Sequence, residues 1–126
     1  MEEVKKLIGE AEIQLEEPRT LLEKDFYRGT INRPYYAMYT CTMALMMLEN
    51  IQTKTHAGIL AKFHEVFIKT GKLPLGLGSM LHDAFNKRQR ADYNFDFDVD
   101  KQTAEMAFEN AGKFVANIKS YISQQS

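Results

Sequence analysis

The sequence predicts an all-α fold, an up-and-down bundle of four to five antiparallel helices formed by a single domain over residues 1–126. Apolar residues recur at spacings of three and four in five segments, and no segment alternates as a dependable strand would. With 44% hydrophobic and 26% charged residues and only 7 Gly and 3 Pro, the composition is typical of a folded globular chain.

Two prolines interrupt the N-terminal half of the helical pattern. The first helix carries a stripe of Val4, Leu7, Ile8, Ala11 and Leu15, and Pro18 is expected to kink or end it. Asp25 is a plausible N-cap for the second and most apolar helix, which extends to Leu48. Pro34 lies inside that helix, which either kinks or begins there. Because the apolar stripe keeps its phase across Pro34, we favour a kinked continuous helix.

The C-terminal half predicts three more helices. A polar loop over 49–54 precedes Thr55, which caps the third helix, and Gly71 is a natural stop for it. Residues 72–78 contain proline and two glycines and predict a loop, so the fourth helix is expected from about Ser79 to near Tyr93. Residues 94–99 are expected to be irregular, with Asp98 or Asp100 as the cap of the last helix.

Charge and cysteine content restrict the classes of protein. The net charge of −1 conceals a basic centre at 26–90 between acidic ends. This distribution suits an anionic partner such as RNA or a nucleotide. Alternatively, the acidic end helices simply pack beside the basic middle ones. The longest uncharged stretch, 34–48, is too short for a membrane span. The N-terminus lacks a signal-peptide pattern, and the single Cys41 suits a reducing compartment, so we expect a cytoplasmic protein away from membranes.

Arg88 is the most informative polar residue. It continues the apolar stripe of the fourth helix, where an unpaired guanidinium would be costly, so it needs an anion. Either the side chain extends to solvent or pairs with the carboxylate of Asp92 one turn later, or it lines a cleft and binds a phosphate. Arg33 invites the same question, because beside Pro34 it could contact a phosphate or merely cover a carbonyl group freed by the proline.

Other patterns give weaker signals. Tyr35, Tyr36 and Tyr39 are explained most simply as core or dimer-interface aromatics at helical spacing, while Arg33, flanked by aromatics, could stack on a base. The segment from His64 begins like a zinc-protease helix but has Ile68 where the second histidine should be, and a calcium-loop pattern at 94–105 has Val99 where glycine is needed. We therefore expect neither a metal nor another cofactor.

Three segments together resemble the HEPN family, particularly its uncharacterised single-domain prokaryotic group. They are Arg33-Pro34-Tyr35-Tyr36-Ala37-Met38, Lys54-Thr55-His56-Ala57-Gly58 and Arg88-Gln89-Arg90-Ala91-Asp92-Tyr93. The resemblance implies a helical bundle that is commonly a homodimer and is often paired with a nucleotidyltransferase-like partner in toxin-antitoxin systems. It also implies that active members are metal-independent ribonucleases, in which a histidine four to six residues after an arginine completes the site.

This sequence departs from that ribonuclease motif. Arg88 matches the arginine, but the following positions of the motif hold Tyr93, Asn94 and Phe95. His56 from another helix or Tyr93 could replace the missing histidine, although a tyrosine is a poor proton donor or acceptor at neutral pH. The candidate catalytic residues are therefore Arg88, His56 and Tyr93, and the candidate phosphate-binding residues are Arg88, Arg33, Arg90, Tyr36 and Asp92.

Three functions remain open at this point. The first is a nucleotide- or RNA-binding module that works with a nucleotidyltransferase-type partner. The second is a metal-independent ribonuclease toxin with a rearranged dimeric site, and the third is a dimerisation module without catalysis. The methionines of the second helix, namely Met38, Met43, Met46 and Met47, exceed what one core would absorb and predict a homodimer.

Overall fold

A computed structural model describes residues 1–93 and 99–125 and confirms the all-α bundle. In chain order the helices are α1 (Glu2–Gln14), α2 (Glu16–Glu23), α3 (Tyr27–Asn32), α4 (Pro34–Leu48), α5 (His56–Phe63), α6 (Leu75–Tyr93) and α7 (Lys101–Gln124), and a π-helical turn over His64–Ile68 continues α5. The described residues contain no strand. Within this part of the chain, no helix is long and apolar enough to cross a membrane.

Helix α4 lies at the centre of the bundle. It packs against α1 on one side and α7 on another, while α3 packs against α6 and α7. Its buried residues include Tyr35, Met38, Cys41 and Leu45, each at most 1% exposed. Because α4 is covered on several faces, its sequence is apolar around most of its circumference rather than along one stripe.

Polar groups inside the bundle are satisfied locally. The hydroxyl of Thr30 donates to the carbonyl of Phe26 at 2.9 Å, and that of Thr42 donates to the carbonyl of Met38 at 2.8 Å. Cys41 is free and fully buried, and burial raises the pKa of its thiol well above the ordinary value. This cysteine therefore behaves as a small core residue rather than as a nucleophile.

Pro18 ends the first helix, as predicted, but the break lies one turn before it. In an unbroken helix the carbonyl of Gln14 would accept from the N–H of residue 18, which proline lacks. Helix α1 accordingly ends at Gln14, and α2 begins at Glu16 with Pro18 buried in its first turn.

The prediction that Asp25 caps the second helix is wrong. Asp25 has a positive φ of 64° and ends α2: its N–H donates to the carbonyl of Leu22, and the next N–H, of Phe26, donates to that of Leu21. This is the pattern of a left-handed C-terminal cap. Helix α3 then starts after Phe26 without a side-chain cap.

A new helix begins at Pro34. The favoured prediction of one continuous kinked helix is therefore wrong, and the alternative, a helix start at Pro34, is confirmed. Proline occupies the first position of α4, where a missing N–H costs nothing. Arg33 nevertheless keeps helical angles (φ −75°, ψ −33°), so the backbone bends there without leaving the helical region. The bend places Arg33 between α3 and α4.

Two of the predicted helix starts are confirmed. The Thr55 hydroxyl oxygen accepts from the N–H of Gly58 at 2.9 Å, and the Asp100 carboxylate accepts from the N–H of Thr103 at 2.8 Å. Hydrogen bonds from the side chain and the backbone N–H of Thr103 lower the pKa of Asp100, because they favour the charged carboxylate. Residues 94–98, and with them the alternative cap Asp98 and most of the predicted irregular segment, lie outside the described residues.

The predicted loop over 72–78 is wrong in its second half. Helix α6 begins at Leu75, so Gly76 and Gly78 are helical. A Cβ at Gly78 would meet Ile68 at 3.4 Å, an ordinary van der Waals contact, so this part of α6 lies against the π-helical turn. The predicted stop at Gly71 is confirmed by its positive φ of 79°.

Candidate functional site

Arg88, on the inner face of α6, occupies the centre of the candidate site. Its side chain is only 18% exposed, and its Nε lies 3.4 Å from a carboxylate oxygen of Asp92. This pair is close enough for an ion pair but is not aligned as a hydrogen bond, so the buried Nε lacks a hydrogen-bond acceptor. The carboxylate anticipated for Arg88 is therefore present but only partly satisfies the guanidinium.

Two tyrosine rings cover the guanidinium of Arg88. Its central carbon lies 5.6 Å from the ring centroid of Tyr35 and 5.6 Å from that of Tyr36. Tyr35 is fully buried, whereas Tyr36 is 41% exposed. Cation–π contacts of this kind hold a guanidinium in place while leaving its N–H groups for other partners.

The charge of Arg88 is retained in this setting. Burial is the largest single influence on the pKa of Arg88 and lowers it. A hydrogen bond from Arg88 to Tyr36 and the charges of Tyr36, Asp92 and Tyr93 outweigh that effect, so the net shift of the pKa is upward. Arg88 is thus a fixed cation in a partly closed environment.

A chain of polar contacts joins Arg33 to Arg88. The Nη1 group of Arg33 donates to the side-chain oxygen of Asn32 at 2.9 Å, and the amide nitrogen of Asn32 donates to Asp92 at 2.8 Å. The second oxygen of Asp92 is the one beside Arg88. Arg33 also forms an ion pair with Glu17 of α2. The two arginines therefore share one network, which Asn32 and Asp92 connect.

Helix α3 also fixes the end of α6. Arg28 donates from Nη1 to the main-chain carbonyl of Ala91 at 2.6 Å. Together with the bond from Asn32 to Asp92, this ties the last turn of α6 to α3 at two consecutive residues. Helix α3, which ends at the bend at Arg33, packs beside α6.

His56, at the start of α5, belongs to the same cluster. Its Nδ1 lies 3.0 Å from the hydroxyl of Tyr35, and its ring stacks on that of Tyr39 with centroids 4.2 Å apart. The centroids of the His56 and Tyr35 rings are 5.9 Å apart. The same buried tyrosine therefore contacts both His56 and Arg88.

Burial raises the pKa of Tyr35 to about 12, with the neighbouring Tyr39 adding to the shift and Arg88 opposing it. The hydroxyl of Tyr35 is consequently protonated at any physiological pH. It serves in the cluster as a neutral hydrogen-bonding group.

The other residues predicted for the site lie further out. Tyr93 is 75% exposed at the end of α6, and with Arg90 it lines an open pocket of about 600 Å³ together with Asn86 and Gln89. The structure therefore brings together Arg88, Arg33, His56, Tyr36 and Asp92. Arg90 and Tyr93 form the adjoining surface.

Sequence reasoning missed several members of the cluster. Asn32 and Glu17 gave no signal, because a single amide or carboxylate on a polar helix face is commonplace. Phe85, whose ring centroid lies 5.6 Å from that of Tyr35, was noted only as an apolar residue of the fourth helix. Tyr35 itself was explained as a core residue, and it is one, but its hydroxyl also reaches His56.

A separate cleft of about 360 Å³ lies between the π-helical turn and α6, with His64, His82 and Asp83 among its lining residues. Among the described residues no group of three or more His, Cys, Asp or Glu side chains could hold a metal ion.

Comparison with known proteins identifies the family of this chain. A HEPN domain model matches residues 4–121. A protein of Methanocaldococcus jannaschii named as a candidate toxin is 36% identical over 120 residues, which cover 95% of this chain and 82% of the relative. A second candidate toxin of the same organism is 32% identical over 118 residues, or 94% and 87% of the two chains.

A third relative, a UPF0332 protein of Gloeobacter violaceus, is 26% identical over 119 residues, which cover 94% of each chain. The family match spans all the described residues that form the cluster around Arg88. The chain therefore belongs to the HEPN family.

Proposed function

We propose that this chain is a toxin-type HEPN module that binds the phosphate groups of RNA or a nucleotide at the cluster around Arg88. The observation that carries the proposal is the state of Arg88 itself: a cation 18% exposed, held against two tyrosine rings, with an Nε that has no aligned acceptor. Buried cations need an anion, and Asp92 supplies only part of one.

The groups around Arg88 support a nucleic-acid ligand in particular. Tyr36 is exposed enough to offer a ring on which a base could stack, and Tyr93 is exposed nearby on α6. Arg33 adds a second cation through the network of Asn32 and Asp92. Phosphate contacts supply affinity and aromatic contacts hold the base, which together is a common way to bind a single strand.

Binding of a short fluorescently labelled RNA oligonucleotide, followed by anisotropy at several salt concentrations, tests the proposal. We expect the dissociation constant to rise with salt, because phosphate contacts displace bound counterions. Replacing Arg88 with alanine should weaken binding by about 1 to 3 kcal/mol, or roughly 5- to 150-fold, since a charged hydrogen bond to phosphate is lost. Arg88→Lys should bind with intermediate affinity, because it keeps the charge but loses the planar fork.

Arg19→Ala is the matched control for Arg88→Ala. Arg19 also forms an ion pair, with Glu16 at 3.4 Å, and also lies over an aromatic ring, that of Phe108, at 5.7 Å. It lies on α2 and makes none of the contacts of the cluster described above. If circular dichroism shows both variants folded and both lose affinity equally, the loss would come from the change in net charge alone. That result would contradict a site at Arg88.

A metal-independent ribonuclease is the second candidate function, and one observation favours it. The histidine that the family motif leads one to expect after Arg88 is absent, yet His56 contacts Tyr35, the same ring that lies against Arg88. An imidazole beside a phosphate-binding arginine is the usual pair for acid–base cleavage of RNA.

The exposed methionines support a homodimer. The core takes up Met38 and Met46, but Met43 and Met47 remain 39% and 41% exposed and line an apolar groove of about 650 Å³ with Ile51 and others. We expect light scattering at micromolar concentration to give twice the chain mass of 14.5 kDa. A mass of one chain for the wild-type protein would contradict the dimer. The double variant Met43→Lys and Met47→Lys should give the mass of one chain.

The same proposal extends to a protein partner. The candidate-toxin names of the two archaeal relatives and the HEPN match support a role as the toxin half of a toxin-antitoxin pair. The partner we propose is a nucleotidyltransferase-like protein, and the compartment is the cytoplasm.

A further inference from the structure

The hydrogen bond between Tyr35 and His56 also determines which ring nitrogen of His56 carries the proton. A tyrosine hydroxyl has one hydrogen, and the Tyr35 side chain is fully buried with His56 Nδ1 as its hydrogen-bond partner at 3.0 Å. If His56 carried its ring proton on Nδ1, the ring would donate to the Tyr35 oxygen and the hydroxyl hydrogen would need a second acceptor. Among the described residues the hydroxyl of Tyr35 makes no other hydrogen bond, and a buried unsatisfied hydroxyl is costly.

The arrangement that satisfies every group is therefore the one in which the Tyr35 hydroxyl donates to Nδ1. The raised pKa of Tyr35, about 12, agrees with this because the hydroxyl keeps its hydrogen. A neutral imidazole that accepts at Nδ1 carries its proton on Nε2. His56 as a residue is exposed, and its Nδ1 is engaged in the interior, so Nε2 is the nitrogen available to a ligand.

We propose that Tyr35 is a positioning residue that holds His56 as the Nε2–H tautomer and supports Arg88 with the same ring, so that both donors face one phosphate. The inference rests on the proposed function, because the phosphate is that of the RNA or nucleotide bound there. The Tyr39 ring completes the arrangement by stacking on His56 at 4.2 Å, which fixes the plane of the imidazole. Tyr35 thus sets the direction of one donor through its hydroxyl and of the other through its ring face.

Side-chain ¹⁵N NMR at about pH 8, where imidazoles are neutral, tests the tautomer without any ligand. In the wild type we expect a pyridine-type Nδ1 and a pyrrole-type Nε2 for His56. In Tyr35→Phe, which keeps the ring and its contact with Arg88, we expect the His56 signals to move toward the averaged values of His64 and His82. A pyrrole-type Nδ1 in the wild type, or His56 signals unchanged in Tyr35→Phe, would overturn the proposal.

Tyr121→Phe is the matched control, because it removes a hydroxyl from a tyrosine outside the cluster, which packs on Phe67 with ring centroids 5.8 Å apart, and leaves the bond to Nδ1 intact. In the RNA titration we expect Tyr35→Phe to weaken binding by roughly 2- to 10-fold, the worth of one hydrogen bond, and Tyr121→Phe to bind like the wild type. Equal binding by Tyr35→Phe and the wild type would overturn the part of the proposal that concerns the ligand. Absence of RNA binding in every protein would instead refute the proposed function, and the NMR result would still decide the tautomer.

Discussion

Replacing Phe114 with alanine is expected to lower the free energy of unfolding by about 3 to 5 kcal/mol, because a large ring would be removed from a closed part of the core. Phe114 lies on α7, is fully buried, and packs against the ring of Phe63 with centroids 5.6 Å apart. Domains of this size have a total stability of about 5 to 15 kcal/mol, so this one change would remove a large share of it.

Urea denaturation followed by circular dichroism measures the effect, and Met106→Ala is the control. Met106 lies on the same helix but is exposed, so its truncation should change the unfolding free energy by only about 0.5 kcal/mol or less. The melting temperature of Phe114→Ala should likewise be lower than that of the wild type by about 10 °C or more. A loss below 1 kcal/mol in Phe114→Ala would mean that the α7 face of the bundle is loosely packed, contrary to the described core.

The sequence allowed the fold to be predicted because the apolar periodicity and the cap chemistry are local. Thr55 and Asp100 begin helices as their side chains indicate, and the break caused by Pro18 follows from its missing N–H. The errors arose where one residue type suits two roles. Asp25 can cap a helix start, but aspartate also tolerates positive φ, and here it ends α2.

Glycines misled the prediction for α6 in the same way. Gly76 and Gly78 suggested a loop, yet a glycine in the first turns of a helix costs only about 1 kcal/mol. The π-helical turn over His64–Ile68 could not be predicted either, because nothing in its sequence differs from that of an ordinary helix.

Some residues of the candidate site stood out in the sequence, but the contacts that join them did not. Arg88 was evident because a cation on an apolar stripe needs an explanation, and Asp92 was evident from helix spacing. The contact between Tyr35 and His56 depends on how α4 and α5 pack, and periodicity contains no information about that. The same holds for Asn32, whose role exists only because α3 lies beside the end of α6.

Labelled RNA incubated with the wild-type protein in EDTA is expected to remain intact. Cleavage through the 2′-hydroxyl needs one group to take a proton and another to protonate the leaving oxygen. The described cluster offers one imidazole, His56, and its Nδ1 already accepts from Tyr35. Tyr93 does not supply the second group within the cluster, because it lies on the adjoining surface at the end of α6 and is 75% exposed. Binding without cleavage is therefore the result that the cluster around Arg88 supports.

The decisive comparison uses His56→Ala, Arg88→Ala and His82→Ala under the same conditions. His82 is an exposed histidine on α6, so its removal controls for the loss of an imidazole elsewhere on the surface. Robust cleavage by the wild type that persists in His82→Ala and falls by about 10²- to 10⁴-fold in His56→Ala would establish His56 as the acid–base group. Loss in Arg88→Ala as well would then make the cluster around Arg88 a ribonuclease site.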